Sequence, residues 1–324
     1  MADKKMWAVL MHLGSNMWSS KGYNPSTKDP EDSIYRDELY CQKDIWTKVT
    51  AHFPEWHINT LFIDIGEGVI LDSHPEIAIK GAWTKSELRS ELTRLRGMGV
   101  TPLPKFNFSA GHSAWMGDWA YRIGAPEFNR FCKDVIEETI ELFDTPEFFH
   151  VGLEEEDYES QRNNYIAIVR SPDKKCADAN FLFDVITGKG SRPCIWIDTN
   201  TVKSFGGVER LSDAIPKNVL LQPWYYHRIR DCDSIEDTRI CKEAKLIRQL
   251  TDLGYEVMPT SSTWCWHLNS KETMKFCKKH VPDDSIKGFM TASWVFTHEN
   301  KYYQLLNDTY TFYTAHRDVY GLEK

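Results

Sequence analysis

Four carboxylates in a row, Glu154, Glu155, Glu156 and Asp157, follow the apolar stretch 148–153. Where such a stretch is a strand, neighbouring side chains leave it in different directions, and burial together with like charge pushes one of their pKa values up. A carboxyl group tuned in this way can give up a proton near neutral pH, the step needed to protonate the leaving oxygen of a glycosidic bond. One glutamate of the run is the expected proton donor, while a solvated acidic loop is the plainer reading of any such run. His112, in Ala-Gly-His-Ser, reads as a pocket histidine set against one of these carboxylates rather than a loop histidine satisfied locally. Asp64 directly follows an apolar run and is expected to point into the same mouth, its alternative being a cap of the next element.

These residues need a scaffold that gathers them from distant positions. Short apolar, β-rich runs recur eight times, at 7–13, 59–65, 100–108, 148–153, 194–198, 219–224, 256–260 and 288–294. Near-continuous apolar stretches such as Leu61-Phe62-Ile63 belong to strands covered on both faces, which points to a parallel sheet. Helix signals lie between them. Thr84 and Glu87 form a capping box ahead of Leu88, Leu92 and Leu95. Phe128, Cys132, Val135, Ile140 and Phe143 make a second apolar stripe, and Ile240, Ala244, Ile247 and Leu250 a third, stopped by Gly254. Eight β/α units predict an α/β protein, a single (β/α)8 TIM barrel over residues 1–324. The rival is an open doubly wound sheet, but no glycine-rich phosphate-binding loop follows the first run, and no linker marks a second domain.

In such a barrel chemistry collects at the C-terminal ends of the strands. Asn16 and Trp18 follow the first run, Asp64 and Glu67 the second, and Asn107 and His112 the third; His150 lies within the fourth. Asp198 ends the fifth, and Trp224, Tyr225, Tyr226 and His227 the sixth; Ser261, Ser262 and Trp264 follow the seventh, and Trp294 ends the eighth. Seven of the twelve tryptophans (Trp18, Trp115, Trp119, Trp224, Trp264, Trp266 and Trp294) fall at or just after strand ends. That suits a sugar, whose apolar C–H face packs on an aromatic ring while its hydroxyl rim wants carboxylates and amides. The plainer reading for any one of them is packing beneath a loop.

A net charge of −8 without any basic run argues against a nucleic-acid partner and for a neutral or small one, here a carbohydrate. A hydrophobic fraction of 41% with 27% charged residues is that of a folded globular chain. No stretch approaches the ~20 apolar residues of a membrane span. The opening residues, with Lys4 and Lys5 before a short apolar run, resemble a signal peptide only superficially; the run holds His12, lacks a cleavage site, and reads as the first strand. An exported or periplasmic protein whose leader has been removed and a cytoplasmic one both fit. Eight cysteines are too few for a disulfide-built fold, with Cys232–Cys241 and Cys265–Cys277 as the pairs that could bridge. No zinc-type spacing occurs and no cofactor is called for; Glu154, Asp198 and His227 could hold a cation, but nothing in their spacing demands one. The oligomeric state is left open.

The stretch Thr101-Pro102-Leu103-Pro104-Lys105-Phe106-Asn107-Phe108, followed by Ala110-Gly111-His112, and later His150-Val151-Gly152-Leu153-Glu154-Glu155, resembles the family 20 glycoside hydrolases, the β-N-acetylhexosaminidases. There an apolar strand precedes Pro-Gly-His, and a helix ending in Leu-Phe, here Leu142-Phe143, introduces His-x-Gly-Gly-Asp-Glu. The resemblance runs from about residue 59 to 156 with weaker echoes to 294. It implies a substrate-assisted retaining mechanism, in which the 2-acetamido oxygen of the sugar attacks its own anomeric carbon. Glu155 would then be the acid/base and Glu154 would take the place of the orienting aspartate, with Trp224 and Trp294 as pocket walls and Tyr225 or Tyr226 offering a hydroxyl to the acetamido group. The sequence departs from the pattern in four places: Glu154 is one methylene longer than aspartate, Leu153 replaces the second glycine, Ala110 replaces proline, and the closing Trp-x-Glu has become Trp294-Val295-Phe296, with the next glutamate at Glu299.

Two other readings compete with an exo-acting hexosaminidase-like enzyme. In one, Glu155 works on a sugar without an acetamido group and Asp198 or Asp64 serves as second carboxylate. In the other, the barrel binds carbohydrate without cleaving it.

Overall fold

The alternating apolar runs build eight parallel strands: β1 (Met6–His12), β2 (Thr60–Asp64), β3 (Thr101–Lys105), β4 (Phe148–His150), β5 (Arg192–Ile197), β6 (Leu220–Pro223), β7 (Thr260–Ser261) and β8 (Gly288–Ala292). The structure is a computed structural model that describes residues 5–23, 33–229 and 239–322. The ladder runs β6-β5-β4-β3-β2-β1-β8-β7, and isolated parallel bridges from Leu221 to Val257 and from Trp224 to Thr260 bring its two ends together. The result is a nearly closed barrel of the expected (β/α)8 kind. Helices α1 (Lys43–Thr50), α2 (Lys85–Gly97), α3 (Pro126–Leu142), α4 (Pro172–Gly188), α5 (Thr199–Ser204), α6 (Leu211–Ala214), α7 (Arg239–Asp252), α8 (Asn269–His280) and α9 (Tyr302–Val319) connect or follow the strands.

Helix punctuation follows the sequence. Thr84 and Glu87 make both bonds of the capping box, and Leu88, Leu92 and Leu95 are buried. Gly254 takes a positive φ of 84° after α7, whose Ala244, Ile247 and Leu250 are buried; the side chain of Ile240 lies outside the described residues.

Strand alternation sorts the core into two layers. Met6, Ala8 and Leu10 of β1, Phe62, Leu103, Phe148, Cys194, Trp196 and Leu220 face into the barrel, whereas Trp7, Val9, Met11, Leu61, Ile63, Ile195 and Ile197 pack under the helices. One step further along the inward rows come His12, Asp64, Lys105, His150 and Gln222, each at most 4% exposed. The register pairs His12 with Asp64, Asp64 with Lys105, and Lys105 with His150, so a polar layer sits directly beneath the barrel mouth.

Six strands are shorter than their apolar runs, and β3, β4 and β7 lose three residues or more. Pro102 and Pro104 have no N–H to give, and β3 joins β4 only at Lys105↔His150, with the amides of Phe106 and Phe108 extending the contact to the carbonyls of His150 and Val151. Beyond His150 the backbone turns through positive φ at Gly152 (74°), Leu153 (77°) and Glu155 (52°), which ends β4. The seventh ladder holds only Thr260 and Ser261, with Val257 joined by isolated bridges across the interruption at Pro259. Cys265 and Cys277, one of the two pairs that could bridge, are both free thiols, Cys277 buried on α8 and Cys265 exposed at the barrel mouth. The Cys232–Cys241 pair falls outside the described residues. Among the described residues no helix is long and apolar enough to cross a membrane, and no group of three potential metal ligands occurs.

Candidate active site

A cavity of about 570 Å³ opens at the C-terminal end of the barrel. Its walls come from most of the strand ends: Trp18 after β1, His112 after β3, Glu154 and Glu155 after β4, Trp196 in β5, Trp224, Tyr226 and His227 after β6, Trp264 and Cys265 after β7, and Trp294 after β8. The segment that follows Glu155 adds Glu159, Ser160, Arg162 and Asn163 at the rim.

His112 joins the two carboxylates. Its Nε2 lies 2.9 Å from Glu155 Oε2 and 3.3 Å from Glu154 Oε1. Burial acts to lower the His112 pKa, but the hydrogen bond to Glu155 and the charge of Glu154 outweigh it, and the imidazole is raised above its ordinary value. Burial raises Glu155 as well, yet the contact with His112 wins and holds its carboxyl below the usual range. Glu154 is the acid that goes up, because burial exceeds the opposing charges of His112 and Lys105. One carboxyl of the pair is raised, as expected, but it is Glu154 and not the expected donor Glu155. His112 and Glu154 thus hold a proton more tightly than usual, and Glu155 less tightly.

The backbone makes this contact possible. Glu154 Oε1 accepts a 2.7 Å hydrogen bond from Asn107 Nδ2, and a β-carbon on Gly152 would lie 1.9 Å from Asn107 Oδ1, so only glycine lets the two segments approach. Leu153 and Glu155 hold left-handed conformations that cost on the order of 1–3 kcal/mol each for residues other than glycine. Such strain persists only where surrounding contacts over-determine it.

Aromatic rings line the cavity. Trp224 stacks on Tyr226 with centroids 5.3 Å apart, and Trp294 lies 5.8 Å from Trp196 and 6.3 Å from Tyr226. The indole N–H groups of Trp196 and Trp224 and the second oxygen of Glu154 are buried without a hydrogen-bond partner among the described residues. Buried polar atoms are normally satisfied, so unmet polar atoms gathered around a single cavity mark a place for a polar ligand. Burial pushes the Tyr226 phenol well above its ordinary pKa, more than its contact with Trp294 offsets, which keeps the hydroxyl protonated as a donor.

Other expected site residues have partners elsewhere. Asp64 does not reach the mouth; it lies in the polar layer below, with Lys105 Nζ at 2.6 Å and His12 Nδ1 at 3.2 Å, and the Lys105 charge together with the His12 contact overcomes burial to hold its pKa low. Breaking such a buried pair typically costs about 3–5 kcal/mol, which makes Asp64 and Lys105 part of the scaffold. His150 is in the same layer; its Nδ1 accepts from the amide of Gly152 at 3.0 Å, and burial followed by the charge of Lys105 keeps it neutral. Asp198 is the N-cap of α5, accepting from the backbone N–H of Thr201 at 2.7 Å and its hydroxyl at 2.6 Å, and it does not line the cavity. Asn107 supports Glu154 from behind, and Tyr225 faces His227 at 5.5 Å outside the cavity lining. Trp115, Trp119 and Trp266 are also packing: Trp115 donates to the Asn107 carbonyl, Trp119 stacks on Phe131, and Trp266 donates to Glu272.

Trp196 was missed because it sits inside a strand rather than at its end. The signal was present: Cys194 and Trp196 share a face of β5, and inward alternation sends the indole up into the mouth.

No family model matches the chain, and no curated protein matches it. Solved structures do. The pneumococcal virulence factor StrH, in a structure concerned with N-glycan recognition and hydrolysis, superposes with a TM-score of 0.66 at 13% identity over 98% of this chain and 85% of that one. An N-acetyl-β-hexosaminidase of Streptomyces plicatus gives 0.58 at 10% identity, covering 96% of this chain; the chain spans 64% of that enzyme's length. A GH138 enzyme targeting pectin rhamnogalacturonan II gives 0.56 at 13% identity over 96% of this chain and 39% of its own. At these identities the likeness is one of fold.

Proposed function

We propose that this barrel is a glycoside hydrolase that removes a terminal 2-acetamido sugar, with Glu155 as acid/base and Glu154 as the carboxylate that orients the acetamido group. The observation that carries the reading is the shared imidazole: one His112 nitrogen serves both carboxylates at the wall of an aromatic cavity. Two of the three neighbours named above are described as hexosaminidases or N-glycan hydrolases, which supports the sugar class.

A sugar filling the cavity strips water from Glu155, raises the free energy of its charge, and moves the proton from His112 Nε2 to Glu155 Oε2. Glu155 then protonates the glycosidic oxygen as that bond breaks. The acetamido oxygen bonds to the anomeric carbon while Glu154 accepts the acetamido N–H. Glu155, again a carboxylate, takes a proton from water, whose oxygen displaces the acetamido oxygen and restores the sugar with retention. The longer Glu154 side chain reaches its place because Asn107 fixes one of its oxygens.

Use of a protein nucleophile is disfavoured by the partners of the other carboxylates: Asp198 is committed to a helix cap and Asp64 to Lys105. The test is hydrolysis of aryl glycosides differing in sugar and anomer, including the β-N-acetylglucosaminide and β-N-acetylgalactosaminide. Cleavage of an acetamido sugar that Glu155→Gln lowers by at least ~100-fold supports the proposal. Cleavage only of sugars without the acetamido group points to a protein carboxylate, and binding without cleavage of any sugar points to a lectin-like barrel.

A further inference from the structure

The third glutamate of the acidic run is the most deeply embedded group near the mouth that the chemistry above does not use. Glu156 is 7% exposed, and its Oε1 accepts from Arg170 Nη2 at 2.5 Å and from the backbone N–H of Ala110 at 3.3 Å. Its Oε2 lies 3.1 Å from Lys175 Nζ. Lys175 in turn donates to the carbonyl of Leu153 at 2.8 Å and to Ser204 Oγ at 2.8 Å, and the other arm of Arg170 reaches Asp178 on α4 at 2.9 Å.

These bonds converge on the strained stretch. Leu153 and Glu155 are the two non-glycine residues after β4 with positive φ, and Lys175 grips the carbonyl of the first while Glu156 anchors the residue after the second. The Ala110 amide begins the short turn that carries Gly111 and His112, and a β-carbon on Gly111 would lie 2.1 Å from the Glu155 carbonyl oxygen. Glu156 therefore touches, within one side chain, the segment that presents Glu155 and the turn that presents His112.

We infer that Glu156, clamped by Arg170 and Lys175, is a positioning residue that sets the separation of His112 from Glu155 by holding the His112 turn against the strained backbone of residues 153–155. It does not line the cavity. Its role rests on the proposed chemistry only for its effect on turnover; the His112–Glu155 contact itself can be read without any substrate.

Two variants separate reach from charge. Glu156→Gln keeps the length and removes the charge, whereas Glu156→Asp keeps the charge that Arg170 and Lys175 require and withdraws the carboxylate from the Ala110 amide. In each folded variant the His112 imidazole is titrated by NMR, its resonance identified by its loss in His112→Gln. Loosening the contact removes what raises His112 and leaves burial to lower it, so the midpoint should fall by about one pH unit or more. Where the wild type cleaves a glycoside, kcat should fall by about tenfold or more with KM little changed, and the alkaline limb of the profile should move down with the midpoint. An unchanged His112 midpoint in Glu156→Asp, or in both variants where Glu156→Gln also folds, overturns the inference. A shifted midpoint in a protein that cleaves no sugar upholds the positioning role and sinks the proposed activity instead.

Discussion

The carbonyl oxygen of Glu155 occupies the space beside Gly111 so closely that a β-carbon there would approach to 2.1 Å. The contact is backbone against backbone, and no side-chain rotation relieves it. Gly111 is thus the residue that allows the His112 turn to lie against the Glu155 segment.

Gly111→Ala should therefore push His112 away from Glu155 while leaving the barrel intact. We expect turnover to fall by at least about tenfold, since small misplacements of reacting groups are expensive. Near-native turnover in a folded Gly111→Ala protein would show that the close approach is incidental.

The contact between His112 and Glu155 gives the proposed hydrolysis a defined pH dependence. Because His112 is raised, the alkaline limb of kcat/KM should lie above about 6.5, the ordinary imidazole value. Stability follows the same sign: a group whose folded pKa is raised contributes fully below its unfolded pKa, and that contribution disappears as pH rises through the folded value. The stability gap between wild type and His112→Gln, measured by urea unfolding, should narrow as pH rises past the alkaline limb. A gap that widens there would reverse the assignment.

Trp196→Phe keeps an aromatic ring in the cavity wall and deletes one unmet N–H donor. If that donor meets a sugar hydroxyl or acetamido oxygen, affinity should drop by roughly 3–10-fold, the scale of one hydrogen bond. Unchanged affinity for a sugar that binds the wild type would make the indole a packing group.

Asp198→Ala separates the two enzymatic readings. As a lost N-cap it should destabilise the protein by about 1 kcal/mol with turnover nearly intact. A loss of turnover of ~100-fold or more at preserved folding would instead return Asp198 to the chemistry.

The sequence determined the fold through signals that are local by nature. Each strand is a short apolar run, each crossover an amphipathic stretch with its own cap or stop, and their eightfold alternation admits few closed arrangements. The acidic run after β4 and the histidine after β3 were legible for the same reason, since a β/α barrel sends its strand ends to one mouth. Tertiary structure decided which residues at that mouth are free to meet a ligand. Asp198 finds its partner three residues on, and Asp64 finds Lys105 across one ladder, although in the sequence all three carboxylates lie at or just after the end of an apolar run. Trp115, Trp119 and Trp266 were drawn into packing, while Trp196 rose into the cavity from inside a strand. The direction of the proton was also decided in three dimensions. Like charge and burial act on both carboxylates, but His112, 2.9 Å from one and 3.3 Å from the other, holds Glu155 low while Glu154 stays raised.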